Sequence, residues 1–151
     1  AFAAETVRFL TERGVPVMGH VGLRPQASLA DGGFKAKGRS QTERDRVLEE
    51  ARLTDEAGAF SIVIEGTSQD LAEEISAAVS APTIGIGASA KCDGQVLVVN
   101  DMLGQSDWVP RFVKKYADLR GLTDEAARRF AEEVRARSFP GPEHVYHVKA
   151  G

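Results

Sequence analysis

The chain has 151 residues, with 19 Lys and Arg against 22 Asp and Glu, a net charge of −3 and 42% hydrophobic residues. That length and apolar content fit one domain with an ordinary core rather than a disordered chain, and the mild acidity supplies no basic field for a phosphate backbone, so nucleic acid is excluded as the expected partner. No run approaches the roughly 18 apolar residues of a membrane span, and the single cysteine, Cys92, leaves no internal disulfide framework, so no membrane partner and a cytoplasmic, reducing compartment are expected.

From Glu5 to Arg13 the apolar residues Val7, Phe9 and Leu10 recur at helical intervals, with Gly14 as a stop. Val15-Pro16-Val17-Met18 then reads as a buried strand. Residues 22–40 are polar and Gly-rich. Val47, Leu48, Ala51 and Thr54 give a second helix that ends by Gly58, and residues 60–64 a second strand. Ser68 is a candidate cap for a third helix with Leu71, Ile75, Ala78 and Val79 on its apolar face. Thr83-Ile84-Gly85-Ile86 and Val96-Leu97-Val98-Val99 predict two more strands, followed by helices near 107–118 and 124–138, the last with Thr123 as N-cap.

These strands are continuous apolar runs, the pattern of a parallel sheet covered on both faces, so alternating β and α units predict an α/β fold. The 88–95 connection is shorter than an ordinary parallel crossover and predicts either an abbreviated helical turn or a break in the pattern. Polar groups follow each run: Gly19-His20, Glu65, Gly85 to Ala88, and Asn100-Asp101. In parallel α/β sheets and barrels that carboxyl edge is where ligands bind.

Two of these groups carry chemistry. A carboxylate attached directly to Ile62-Val63-Ile64 is partly desolvated, which pushes Glu65 toward a general base, although a solvated, ion-paired loop glutamate has the same sequence. His20 has the same placement and can hydrogen-bond a substrate, shuttle a proton or serve only as a satisfied structural group. The stretch Gly85 to Ala90 matches a relaxed G-x-G-x-x-A, but turn sequence follows it where a dinucleotide fingerprint needs a helix, so close backbone packing explains its glycines better. Asp31 to Arg39 is Gly-rich and basic, either a lid over an anionic substrate or a solvated loop. His144 and His147 follow Pro140-Gly141-Pro142, which argues against a helix presenting both to a metal, and Cys92 lies in a turn with no evident base.

Taken in order, Val15 to Gln26, Gly32 to Arg39, Ile64-Glu65, Ile84 to Ala88, Asp93 to Val98, Asp101 to Gly104 and Phe139 to His144 resemble the ketopantoate hydroxymethyltransferase family, with Ser89 and Asn100 as departures from its pattern. The resemblance implies the second half of a (βα)8 TIM-type barrel, strands 5–8 with C-terminal helices, in one partial domain spanning 1–151. It implies transfer of a one-carbon unit from 5,10-methylenetetrahydrofolate to 3-methyl-2-oxobutanoate in pantothenate biosynthesis. Magnesium would support the enolate formed when a base removes the C3 proton. Glu65 aligns with that base, and His20 with a supporting pocket histidine. No position here matches the family's metal ligands, so Mg²⁺ ligands are expected in the N-terminal half of the same enzyme, the expected partner alongside a large homo-oligomer. The alternatives are a related magnesium-dependent enzyme of the isocitrate lyase type acting on 2-oxo acids, and a non-catalytic half-barrel that serves assembly. A closed fold with a fully solvated Glu65 would mark the last.

Overall fold

The computed structural model describes the backbone of residues 2–24 and 36–147. Residues 25–35, and with them most of the expected Asp31–Arg39 lid, lie outside the described residues. The chain divides into two compact units, Ala1–Leu97 and Val98–Gly151.

The first unit carries α1 (Phe2–Thr11), β1 (Met18–Gly22), α2 (Gln41–Glu56), β2 (Ser61–Glu65), α3 (Gln69–Ala78), β3 (Thr83–Ile86) and β4 (Gly94–Gln95). The strands form one sheet in the order β1-β2-β3-β4, every neighbouring pair parallel. The α/β class is therefore as expected. Helix α2 starts where Ser40 accepts the Glu43 N–H on its hydroxyl at 3.3 Å, an N-cap that satisfies one orphan donor. Ser68 occupies the N-cap position of α3, but its hydroxyl makes no cap hydrogen bond. At the far end, the Asp55 carboxylate accepts the backbone N–H groups of Ser80 and Ala81 at 2.8 and 2.9 Å and so ties α2 to the turn before β3.

One face of the sheet is sealed by α2 and α3. Ile62, Ile64, Leu71, Ile75 and Ala51 are fully buried there, with Val21 and Val47 beside them. Gly19 lets α2 approach closely, because a Cβ at this position would collide with Thr54 Cγ2. The opposite face differs from the expectation of strands covered on both sides. Met18 is 46% exposed, and Val63, Ile84 and Ile86, neighbours across the β2–β3 register, are only half-buried.

Several boundaries differ from the sequence expectation. The first strand is Met18–Gly22 rather than 15–18, because pairing starts at the Met18↔Ser61 register and Val15 to Val17 have no ladder. His20 thus lies inside the strand rather than after it. The 96–99 strand is absent: after Gln95 only the Val96 N–H reaches β3, on Gly85 O at 3.0 Å, and residues 99–102 turn into a helix. Strand β3 ends at Ile86, so 97–99 has no partner to pair with. The 87–93 connection contains no helix, yet β3 and β4 remain parallel. Asp93 holds this abbreviated turn by accepting the Thr83 N–H at 2.7 Å and its hydroxyl at 2.9 Å.

The second unit holds α4 (Val99–Met102), α5 (Leu119–Arg135) and a 3-10 turn at Pro142–His144. Residues 107–118 are not helical; Pro110, which cannot donate to a helical ladder, sits in the middle of this stretch. Helix α5 begins earlier than expected. Asp118 is its N-cap, accepting the Gly121 N–H at 3.0 Å, while Thr123 lies within the helix and donates back to Leu119 O at 2.7 Å. Among the described residues no helix is long and apolar enough to cross a membrane.

Candidate active site

The register of β1 on β2 creates the site. His20 lies opposite Val63 and Gly22 opposite Glu65, so His20 and Glu65 share the open face one diagonal step apart. Their side chains meet, His20 Nε2 to Glu65 Oε2 at 3.1 Å, with 32% and 16% of each exposed. Glu65 is thus not the solvated glutamate that an assembly module would carry. Burial pushes its carboxyl above the ordinary glutamate value; the charge and hydrogen bond of His20 pull the other way without cancelling that rise. The carboxylate is a stronger proton acceptor than a surface glutamate, and the imidazole orients it.

The backbone around Glu65 is held on several sides. Glu65 O accepts the Leu23 N–H at 2.7 Å, Gly66 N–H donates to Ile86 O at 2.9 Å, and Gly66 O accepts the Lys37 N–H at 2.8 Å. Gly66 has φ +57, and a Cβ there would press on Leu23 at 3.0 Å, so glycine suits this tight exit. Beside His20 lies a cavity of about 280 Å³, bordered by Ala3, Val21, Glu50, Leu53 and Thr54, with Arg24 3.8 Å from Glu50 at its rim.

The remaining candidates make other contacts. Ser89, one of the two departures from the family pattern, is buried; its hydroxyl donates to Glu73 at 3.1 Å and accepts the Lys91 N–H at 3.2 Å, closing the loop after β3 without a following helix. The Gly85–Ala90 stretch therefore lacks a dinucleotide helix. Cys92 is buried 3.8 Å from the Ser76 hydroxyl. His144 sits in the 3-10 turn with its ring 5.2 Å from that of Phe139, and among the described residues no cluster of His, Cys, Asp or Glu could hold a metal ion. Asn100 and Asp101 belong to the second unit, on α4. Sequence reasoning passed over Glu43 and Glu50, and took Lys37 and Arg24 only as members of longer stretches. The Ser40-x-x-Glu43 spacing, the signature of a capping box, is the signal that points to Glu43.

A parallel sheet with a partly buried carboxylate–imidazole pair at its carboxyl edge defines an α/β protein with an enzyme-type site. The family model for ketopantoate hydroxymethyltransferase matches residues 1–142. The chain is 65% identical over 145 residues to the 3-methyl-2-oxobutanoate hydroxymethyltransferase of Caulobacter vibrioides strain NA1000 / CB15N, covering 96% of this chain and 53% of that protein. To the protein of the same name from Phenylobacterium zucineum strain HLK1 it is 61% identical over 147 residues, covering 97% and 54%. The Maricaulis maris strain MCS10 protein is 61% identical over 148 residues, covering 98% and 53%. The chain belongs to the ketopantoate hydroxymethyltransferase family and spans about half the length of the curated relatives it matches.

Proposed function

We propose that this chain forms the carboxyl-terminal half of a 3-methyl-2-oxobutanoate hydroxymethyltransferase, with Glu65 as the base that takes the C3 proton of the 2-oxo acid. The observation that carries the proposal is the partly buried Glu65 carboxylate, its pKa raised from the ordinary glutamate value by burial, held 3.1 Å from His20. Geometry precedes pKa in choosing a base, and both favour Glu65. The carbanion left at C3 forms a bond to the methylene carbon of 5,10-methylenetetrahydrofolate, the carbon–nitrogen bonds to that carbon break, water supplies the hydroxyl, and tetrahydrofolate leaves with ketopantoate as the other product. His20 keeps the Glu65 carboxylate aimed at the open face and stabilises its charged form.

The remaining half of the enzyme covers the half-exposed face of Met18, Val63, Ile84 and Ile86 and adds strands at the free edge of β1, completing a (βα)8 barrel. A parallel sheet with one bare apolar face supports this, since such sheets are normally covered on both sides. The described residues gather no metal cluster and do not by themselves fit a resident magnesium ion. On this proposal the Mg²⁺ ligands belong to the amino-terminal half. A cytoplasmic homo-oligomer of a pantothenate-biosynthesis enzyme is part of the same proposal.

The test is exchange of the substrate's C3 proton with solvent deuterium by the intact enzyme. A positioned general base is worth about 10²- to 10⁴-fold, so Glu65→Gln is expected to slow exchange by at least about 10²-fold. Exchange within a few-fold of the wild type would reject Glu65 as the base.

A further inference from the structure

Strand β2 ends at Glu65, so the peptide groups immediately beyond it need partners other than a regular ladder. One partner is not a strand at all. Lys37 forms an isolated parallel bridge with Thr67, its N–H donating to Gly66 O at 2.8 Å and its O accepting the Ser68 N–H at 3.0 Å. Residues 36–39 thus act as a strap laid across the backbone that follows Glu65.

A strap of irregular chain holds only if something holds it. Here Glu43, in the first turn of α2, reaches back: its Oε2 accepts the backbone N–H of Gly38 at 2.9 Å and of Arg39 at 3.1 Å, and its Oε1 lies 3.7 Å from Lys37 Nζ. The Ser40 cap on the Glu43 N–H fixes where that carboxylate starts. Gly38, at φ +85, presses against Leu71 and Ser68 with no room for a side chain, so the strap lies flat on α3.

We propose that Glu43 is a positioning residue for Glu65: by gripping Gly38 and Arg39 it fixes the Lys37 strap, and the strap fixes the Gly66 peptide adjoining the base. The link is two hydrogen bonds, Gly38 N–H to Glu43 Oε2 and Lys37 N–H to Gly66 O, joined by the covalent 37–38 backbone. Burial alone would raise the Glu43 carboxyl. The N–H groups of Arg39 and Gly38, with the charges of Lys37 and Arg46, outweigh that and hold it below the ordinary value. Among the described residues, the titratable group in contact with Glu65 itself is His20.

The inference rests on Glu65 being the base. It is tested in the intact enzyme by measuring C3 exchange against pH for Glu43→Ala and Glu43→Gln, normalised to folded protein. A misplacement of about 1 Å can cost about 100-fold in rate. For Glu43→Ala, kcat is expected to fall roughly 10- to 100-fold with KM changed far less. The acid limb should move to lower pH, because a loosened Glu65 gains water and loses part of the rise that burial gives it. Glu43→Gln keeps a side-chain oxygen for the two N–H groups and is expected to recover most of kcat; if the alanine variant does not fold, a smaller limb shift in the same direction for Glu43→Gln is the supporting result. An unchanged kcat and acid limb in the folded variants would overturn the proposal, as would an equal loss in both variants with the limb in place. The outcomes separate from those of the underlying assignment. Normal exchange by Glu65→Gln removes the base itself, whereas loss there with wild-type behaviour in both Glu43 variants removes only the role of Glu43.

Discussion

The two faces of the sheet are built from alternate residues of the same strands and do opposite work. Along β2, Ile62 and Ile64 point into the helices and are fully buried, whereas Val63 and Glu65 point to the open side and keep part of their surface. The first face stabilises the unit through burial. The second pairs a carboxylate with an imidazole in a partly dry setting, an arrangement that does not favour stability. Because neighbouring residues divide the two tasks, adjacent substitutions should separate stability from chemistry.

The largest stability effect is expected at Ile64→Ala. Removing a fully buried Ile and leaving a cavity costs about 2–5 kcal/mol, read as a lowered midpoint in chemical denaturation, with C3 exchange per folded molecule nearly unchanged. One residue on, Glu65→Gln should do the reverse. The folded state raises the Glu65 pKa, so its charged form opposes folding above that pKa and not at pH values well below it. A neutral Gln is therefore expected to leave stability near neutral pH unchanged or higher while exchange is lost. A large loss of stability there would mean that the pair is structural.

A smaller effect is expected at Asp55→Ala, behind the sealed face. It leaves the Ser80 and Ala81 N–H groups unpaired, at a cost of about 1 kcal/mol for this partly exposed site. Burial raises the Asp55 carboxyl, but the two N–H groups and the Ser80 hydroxyl outweigh it and the pKa is lowered. The stabilisation is thus present above the ordinary value of 3.8 and is lost as pH falls through the lowered one. Wild type and Asp55→Ala should converge in stability in strong acid. A difference that persists there would assign the effect to packing.

Much of the sealed face was legible in the sequence. Strand β3 falls where its apolar run lies, β2 is displaced by one residue, and α3 starts after Ser68. Apolar runs failed as guides where pairing, not composition, decides. Val15 to Val17 and Val96 to Val99 are as strand-like as Ile62 to Ile64 but keep only a single bond each to the sheet, Phe60 N–H on Val17 O and Val96 N–H on Gly85 O, so neither extends the ladder. In the second unit, Asp118 outcompeted Thr123 as a cap because its carboxylate reaches the Gly121 N–H, a choice that propensity alone does not reveal. Of the site, Glu65 and His20 were legible from their place behind or within apolar runs. Their contact was not, because it depends on the β1–β2 register and hence on a strand that begins three residues later than its apolar run. The grip of Glu43 on the 37–39 backbone was hidden for a related reason: it joins a helix cap to a loop across the end of another strand.

The central claim is that burial, opposed but not overcome by His20, makes Glu65 the proton acceptor. Its most direct test is a carbon-13 titration of the Glu65 carboxyl in the intact enzyme, compared with the acid limb of C3 exchange. The account predicts a midpoint above the ordinary glutamate value of 4.5, coinciding with that limb. A midpoint at or below 4.5, or exchange that continues undiminished after the carboxyl is protonated, would contradict it.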